Sequence, residues 1–174
     1  RCPGSCTRIS LSSSASRSSG TLADVHDPDT RRRNMAAIRA KDTKPELLIR
    51  RALHARGFRY RLHVRTVPGR PDLVLPRYRA AIFVHGCFWH GHECSLFRWP
   101  KTREAFWHDK IGGNRARDLA VSQRLLDAGW RVATVWECAL KGRNRRPMSE
   151  IIDSLAAWLS SDEKEIFIEE QSVD

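Results

Sequence analysis

Residues 85–94, HGCFWHGHEC, combine three histidines and two cysteines with two large aromatic side chains. Thiols and imidazoles at such short spacing are typical ligands of zinc. Cys138 ends an apolar run farther along the chain and could supply a third sulfur. Three sulfurs and one imidazole form a closed tetrahedral site, and because no position is left for water, the zinc would be structural. The predicted ligands are Cys87, His92, Cys94 and Cys138.

Spacing alone leaves alternatives to this ligand set. His85 and His90 could equally supply the imidazole, and buried cysteines without any metal are common in protein cores. We favour zinc because the stretch is too polar for a simple core. A zinc protease or deaminase is disfavoured, because the chain has neither an HExxH motif nor an HxE motif followed by PCxxC.

The segment PGRPDLVL (68–75) places Asp72 directly before an apolar run. A carboxylate at a strand end can hold Mg²⁺ against a phosphate, where the ion activates water and stabilises the leaving oxyanion. A turn aspartate is the alternative. Glu46 could belong to the same site or cap its helix, and the two roles are compatible. The Glu-x-Lys that many such nucleases carry on the next strand is missing, and His85 stands where the lysine would be.

His85 and His90 are candidate acid–base groups. Imidazole changes its charge near neutral pH, which suits proton transfer in catalysis. Asp118, on the helix that follows, could orient one of the two rings. The spacing does not say which.

Aromatic side chains alternate with the predicted ligands at Phe88 and Trp89, and Trp107 follows a basic segment. Flat side chains beside basic ones suit insertion between base pairs or stacking on unpaired bases. Core packing is the alternative for any tryptophan. We assign core or core-edge positions to Trp130, Trp136 and Trp158.

Positive charge is concentrated in the middle of the chain. Residues 30–161 hold 27 Lys and Arg against 11 Asp and Glu, whereas residues 162–174 hold six acids and one lysine. Such a domain should bind a polyanion, and we predict that this polyanion is nucleic acid. The five cysteines, an odd number, argue against a secreted disulfide scaffold, and no apolar run is long enough to span a membrane.

Periodicity and capping signals predict the elements that position these residues. We expect a mixed β-sheet flanked by helices, which is an α/β fold. One helix should begin at the N-cap Thr43 and end at Gly57, with an inner face of Leu47, Leu48, Arg51, Ala52 and Ala55. The predicted helices cover 30–42, 43–57, 102–127 with a break at Gly112 and Gly113, and 147–161. The predicted strands cover 58–64, 72–76, 80–85 and 131–137.

Several motifs, taken in order, resemble the very short patch repair DNA mismatch endonucleases. They are ADVHD, NM-AI, PGRPD, HGCFWH-H-C, TR--FW--KIG-N and GWRV--VWECAL-G, which run from about residue 23 to about residue 160. The resemblance implies a restriction-endonuclease-like fold. It also implies an enzyme that cuts one strand 5′ of the T in a T:G mismatch, the product of 5-methylcytosine deamination.

The resemblance also implies roles for particular residues. Asp72 and the main-chain carbonyl of Val84 would bind the catalytic Mg²⁺, and Glu46 would support them through water. His90, helped by Asp118, would activate water, and His85 would assist near the scissile phosphate. Zinc would be held by the four ligands named above. The DNA-binding residues would be a major-groove wedge of Phe88, Trp89 and Trp107, the minor-groove residues Asn34 and Met35, and, beside the mispair, Lys110 and Asn114.

The chain departs from the family pattern at three positions near the site. Val84 replaces an expected threonine, and a main-chain ligand would survive that change. Gly91 and Glu93 replace histidines around the zinc ligands, which we interpret as variation of the loop.

We therefore predict a Mg²⁺-dependent, zinc-containing endonuclease that nicks double-stranded DNA at T:G mismatches. The alternatives are a non-catalytic zinc-dependent nucleic-acid binding module and an ordinary restriction endonuclease of matched sites. Residues 24–161 would form the endonuclease domain, between a disordered serine-rich tail (1–23) that is not part of the folded enzyme and an acidic C-terminal tail (162–174). We expect a monomer in the bacterial cytoplasm, nucleoid-associated when on DNA, with mismatch-repair proteins as candidate partners and no membrane contact.

Overall fold

The computed structural model describes residues 29–30, 32–33 and 41–172. The predicted basic helix at 30–42 falls mainly outside these residues, as does the predicted tail at 1–23; residues 41 and 42, which are described, form a bend. The elements are α1 (Lys44–Ala55), β1 (Leu73–Leu75), a 3₁₀ turn (Pro76–Tyr78), β2 (Ala80–His85), α2 (Glu104–Asp127), β3 (Arg131–Trp136), α3 (Glu137–Leu140), α4 (Met148–Ser160) and β4 (Glu165–Ile168).

The four strands form one mixed sheet in the order β1-β2-β3-β4, as an α/β fold requires. β1 is antiparallel to β2, and the other two pairs are parallel. The start of β1 and the ends of β2, β3 and β4 therefore lie along one edge of the sheet. We call this the functional edge, because Asp72 precedes β1, the sequence HGCFWHGHEC begins at the end of β2, and Cys138 follows β3. The restriction-endonuclease-like assignment of this fold stays a prediction.

Helices cover both faces of the sheet. On one face, Ile82, Val84 and Val135 pack with side chains of α1 and α4. On the other face, Ala81 and Phe83 pack with Val121 and Leu125 of α2. β2 is buried along nearly its whole length for this reason, which agrees with its continuously apolar sequence.

The capping prediction for α1 is confirmed. Thr43 is the N-cap, its hydroxyl accepts a hydrogen bond from the backbone N–H of Glu46, and Gly57 follows the helix with φ of +87°. The predicted inner face is wrong. The buried residues are Glu46, Ile49, Arg50 and Leu53, whereas Leu48 is 39% exposed. The buried face differs from the predicted one because the helix buries an ion pair between Glu46 and Arg50. A search for apolar periodicity does not count charged residues as buried.

Two further elements differ from the predictions. Residues 58–64 form no strand: Arg61 makes one isolated bridge to Val74, and His63 has φ of +53°, which interrupts an extended chain. α2 continues through Gly112 and Gly113 without a break, since neighbouring helical residues offset the roughly 1 kcal/mol that each glycine costs.

The acidic segment 162–174 contains a strand that the sequence analysis did not predict. β4 pairs in parallel with β3, and Ile168 is 1% exposed in the core. Of the helices in the described part of the chain, none has the length and apolar character needed to cross a bilayer.

Replacing Ile168 by alanine tests whether β4 belongs to the folded sheet. We expect Ile168→Ala to lower the free energy of unfolding by about 2–5 kcal/mol, because it leaves a cavity in the core. Phe167→Ala, the neighbouring control, should change it by about 0.5 kcal/mol or less, because Phe167 is 62% exposed. Urea unfolding followed by circular dichroism measures both values. Equal, small losses would show that β4 does not hold the core together.

Candidate active site and metal centre

Asp72 is fixed to the neighbouring strand at the functional edge. Its Oδ2 accepts a hydrogen bond of 2.8 Å from the backbone N–H of Val84. Burial raises the pKa of Asp72 to about 6, against the lowering effect of that hydrogen bond, and the negative charge of Glu46 adds to the rise. A desolvated carboxylate beside a second acid is a suitable ligand for a divalent cation, which would restore the charged form.

Glu46 serves the helix cap and the site together. Its Oε1 accepts from the Thr43 hydroxyl at 2.8 Å, and its Oε2 accepts from the backbone N–H of Asp42 and from Arg50 Nη2. Glu46 is 4% exposed and lines the same cleft as Asp72. The structure thus places Glu46 where its charge acts on Asp72, and Arg50 holds it there.

His85, His90 and Asp118 form a compact group in this cleft. His90 Nδ1 lies 2.5 Å from Asp118 Oδ2, and the rings of His85 and His90 stack with centroids 3.9 Å apart. Burial and the adjacent His90 lower the pKa of His85 to about 4, so His85 is neutral at neutral pH. The sequence left open which histidine Asp118 would orient, and the structure pairs it with His90.

One cleft of about 1190 Å³ brings the predicted catalytic residues together. Its walls come from the N-terminus of α1, the functional edge of the sheet and the middle of α2. Residues from all three regions line it: Glu46, Asp72, Val84, His85, His90, Lys110, Asn114 and Asp118.

The predicted zinc ligands also converge. One donor atom from each of the four lies within 4.8 Å of the others, which is close enough to hold one metal ion. His92 Nδ1 is 3.6 Å from Cys138 Sγ. Nitrogen and sulfur ligands of a tetrahedral zinc lie about 3.6 Å apart, given bonds of about 2.1 and 2.3 Å. The structure also favours His92 as the imidazole ligand, because His85 and His90 cluster with Asp118 instead.

The two central cysteines connect adjacent strands. Cys87 follows β2, Cys138 follows β3, and the backbone N–H of Cys138 donates to Cys87 Sγ at 3.3 Å. The hydrogen bond with the Cys87 thiol lowers the pKa of Cys138 to about 6 and, together with burial, raises the pKa of Cys87. A pair of buried thiols sharing a proton in this way is chemically suited to a thiophilic cation.

Trp136 lies between the cysteine–histidine group and the group of His85, His90 and Asp118. Its ring stacks on His92 with centroids 4.1 Å apart and meets His85 edge-on at 5.4 Å. The sequence analysis assigned Trp136 to the core or its edge and gave it no role. Its position at the end of the strand before Cys138 was the signal that could have indicated one.

The three predicted wedge aromatics are in contact with one another. Phe88 meets Trp107 with centroids 5.1 Å apart and Trp89 at 5.2 Å. The cluster continues through the buried Phe97 to Trp99, whose ring stacks on His108 at 4.0 Å. Phe97 and Trp99 were missed, although their position in a basic segment resembles that of Trp107.

Two residues fix the backbone of the wedge. Asn114 Nδ2 donates to the carbonyl of Trp89 at 2.7 Å. Gly91 has φ of +60°, and a Cβ there would lie 2.6 Å from Ile111 Cγ2, so a side chain does not fit without movement. Gly91 is therefore a packing requirement of this loop. Lys110 is exposed at the cleft, whereas Asn34 and Met35 lie outside the described residues.

Comparison with known proteins gives consistent matches. The family model described as DNA mismatch endonuclease Vsr matches residues 23–96. DNA mismatch endonuclease Vsr of Escherichia coli (strain K12) is 43% identical over 152 residues, which cover 87% of this chain and 97% of that protein. Type II nicking enzyme V.XorIIP of Xanthomonas oryzae pv. oryzae is 48% identical over 68% of this chain and 88% of its own. V.NmeAIP of Neisseria meningitidis, also a type II nicking enzyme, is 41% identical over 70% and 87%.

Metal analysis tests the cysteine–histidine group. We expect about one zinc per chain in the purified protein and none in Cys138→Ser, because the loss of a buried thiolate opens the tetrahedral site. The variant should also be less soluble. Cys6→Ser, at a cysteine to which we assign no ligand role, is the control. Inductively coupled plasma mass spectrometry gives the content, and a soluble, fully active Cys138→Ser protein without zinc would contradict a structural role.

Proposed function

The chain belongs to the Vsr family of DNA mismatch endonucleases, and from that membership we propose that it nicks double-stranded DNA 5′ of the T in a T:G mismatch. The protein is a strand-specific DNA endonuclease of very short patch repair. One observation carries the catalytic proposal: Asp72, His85, His90 and Asp118 share one cleft, which Trp89 of the aromatic cluster also lines.

His90 would be the general base. Its Nδ1 faces Asp118, so the proton belongs on Nδ1 and the lone pair of Nε2 is free to accept a proton from water. Asp118 would fix this tautomer and stabilise the imidazolium that forms. His85, kept neutral by its lowered pKa, could stack on that cation without adding a second charge, and could hydrogen-bond a phosphate oxygen.

Asp72 and the Val84 carbonyl would hold Mg²⁺, which when bound supplies charge neutralisation at the phosphate and stabilises the departing oxygen. The burial of the Asp72 carboxylate supports this assignment, because a bound cation would stabilise its negative charge. The water oxygen would attack phosphorus in line with the bond to O3′, whose cleavage leaves a 5′-phosphate and a 3′-hydroxyl. The departing O3′ would take a proton from solvent to become the 3′-hydroxyl, and the proton taken by His90 would return to solvent.

The aromatic cluster would select the substrate. Opening the stack at a mispair costs less free energy than opening it at a matched pair. Phe88, Trp89 and Trp107 are held together before DNA arrives, so inserting them requires little ordering of the protein. Lys110 and Asn114 at the cleft would lie near the mispair, and the minor-groove role of Asn34 and Met35 remains part of this proposal.

Zinc on Cys87, His92, Cys94 and Cys138 would be structural, since four protein ligands leave no position for a reacting water.

We also propose a monomer, because a nick needs one active site. A DNA substrate supports a bacterial cytoplasmic location, nucleoid-associated on DNA, and the mismatch-repair proteins are candidate partners. The non-catalytic binding module is rejected because the relatives are endonucleases. Cleavage of matched sites is an outcome of the next experiment.

A duplex with one T:G mispair and its T:A counterpart, each labelled on both strands, tests the substrate. With Mg²⁺, we expect a nick only in the thymine strand of the mismatched duplex. Asp72→Asn should bind the mismatch but leave it intact, because the cation ligand is lost, and the exposed Asp162→Asn is the matched control. Denaturing gel electrophoresis reads the products. Equal cutting of both duplexes would exclude mismatch specificity.

Single-turnover kinetics test the proposed base. We expect His90→Ala to slow the nicking step by about 10²–10⁴-fold at saturating DNA, the usual contribution of general base catalysis. Asp118→Asn should slow the same step, because an amide does not stabilise the imidazolium. His54→Ala, an exposed histidine that does not line the cleft, should leave the rate unchanged. A rate for His90→Ala within about tenfold of the wild type would assign the proton transfer to another group.

A further inference from the structure

Two acidic residues that directly follow β4 contact the metal centre. Glu169 Oε2 lies 2.8 Å from His92 Nε2, on the opposite side of the ring from the nitrogen that faces Cys138. Glu169 and His92 are separated by 77 positions in sequence. An imidazole with a thiol at one nitrogen and a carboxylate at the other has the arrangement of a metal-bound histidine with its supporting acid.

Glu170 makes contacts at two other parts of the same centre. Its side chain accepts from the backbone N–H of Ser95 at 2.7 Å and also from the Ser95 hydroxyl, directly after Cys94. Its backbone N–H faces the sulfur of Cys138. An N–H directed at a thiolate stabilises the negative charge that a metal-bound sulfur carries.

The sheet explains why these contacts occur. β4 runs parallel to β3, so residues 169 and 170 leave the sheet at the functional edge, next to Cys138. Ile168 is buried in the core and fixes the end of the strand. Gln171 then donates its backbone N–H to the carbonyl of Asn144 at 3.0 Å, which fixes the chain beyond the two acids.

We propose that Glu169 is a positioning residue of the metal centre, which holds the proton of His92 on Nε2 so that Nδ1 is the metal ligand, with Glu170 supporting the adjacent sulfurs. The carboxylate makes the imidazole a stronger electron-pair donor to the metal and fixes the plane of the ring. The acidic segment thereby completes a site whose four ligands all lie between residues 87 and 138. This inference rests on the zinc proposed above.

Zinc affinity tests the proposal on the full-length holoprotein. Competition with a chromogenic chelator should show zinc bound about 10–100-fold more weakly by Glu169→Ala than by the wild type. Glu169→Gln, which keeps an acceptor oxygen at the same length, should bind zinc with an affinity between these two. Glu163→Ala, an exposed acid that precedes β4, is the matched control and should bind as the wild type does.

Cobalt substitution separates positioning from a general loss of folding. The visible absorption bands of Co²⁺ in the site should shift in Glu169→Ala and return toward the wild type in Glu169→Gln, because they report ligand strength and geometry. Should the alanine variant be insoluble, weaker zinc binding by Glu169→Gln than by Glu163→Ala decides the question. Unchanged zinc affinity and unchanged cobalt bands in the Glu169 variants would overturn the proposal. Absence of zinc from the wild type would instead overturn the zinc site itself.

Discussion

The register between β1 and β2 is the constraint on which the candidate active site depends. β1 is only three residues long, and the hydrogen bond from the Val84 N–H to the Asp72 carboxylate continues the pairing beyond its start. A slip of one residue would turn Asp72 to the opposite face of the sheet, away from His85 and Glu46. The same edge receives the end of β3, because β2 and β3 are parallel. Sheet topology therefore determines which groups can meet in the candidate active site.

The turn after β2 supports two functions because both of its ends are fixed. Cys87 and His92 belong to the candidate metal centre, and the residues between them include two of the predicted wedge aromatics, Phe88 and Trp89, together with His90. A metal bound at these ends would restrict the segment while remaining apart from His85, because Trp136 lies between His92 and His85. Restricting a reacting group before substrate binds removes an entropic cost from the barrier. Zinc would thus act on catalysis only through position.

The sequence identifies the residues that meet at the candidate site better than it predicts the structure that supports them. Cap residues and continuous apolar runs are local signals, so α1, β2 and β3 are placed within a few residues. Residues 58–64 were misassigned because alternation does not reveal the positive φ of His63. The face of α1 was misassigned because two of its inward residues, Glu46 and Arg50, are charged and paired. β4 was missed because EIFI is short and lies in an acidic segment whose composition suggests a solvated tail.

The acidity of that segment is itself informative. A negative segment beside the proposed DNA-binding cleft should repel the phosphates, yet two of its acids are directed at the candidate metal centre. Glu169 faces a histidine, and the hydrogen bonds of Ser95 lower the pKa of Glu170, so its charge is stabilised there. Neither contact follows from composition or periodicity, because each joins residues more than 70 positions apart. Glu169 and Glu170 are thus held at the candidate metal centre by contacts within the protein.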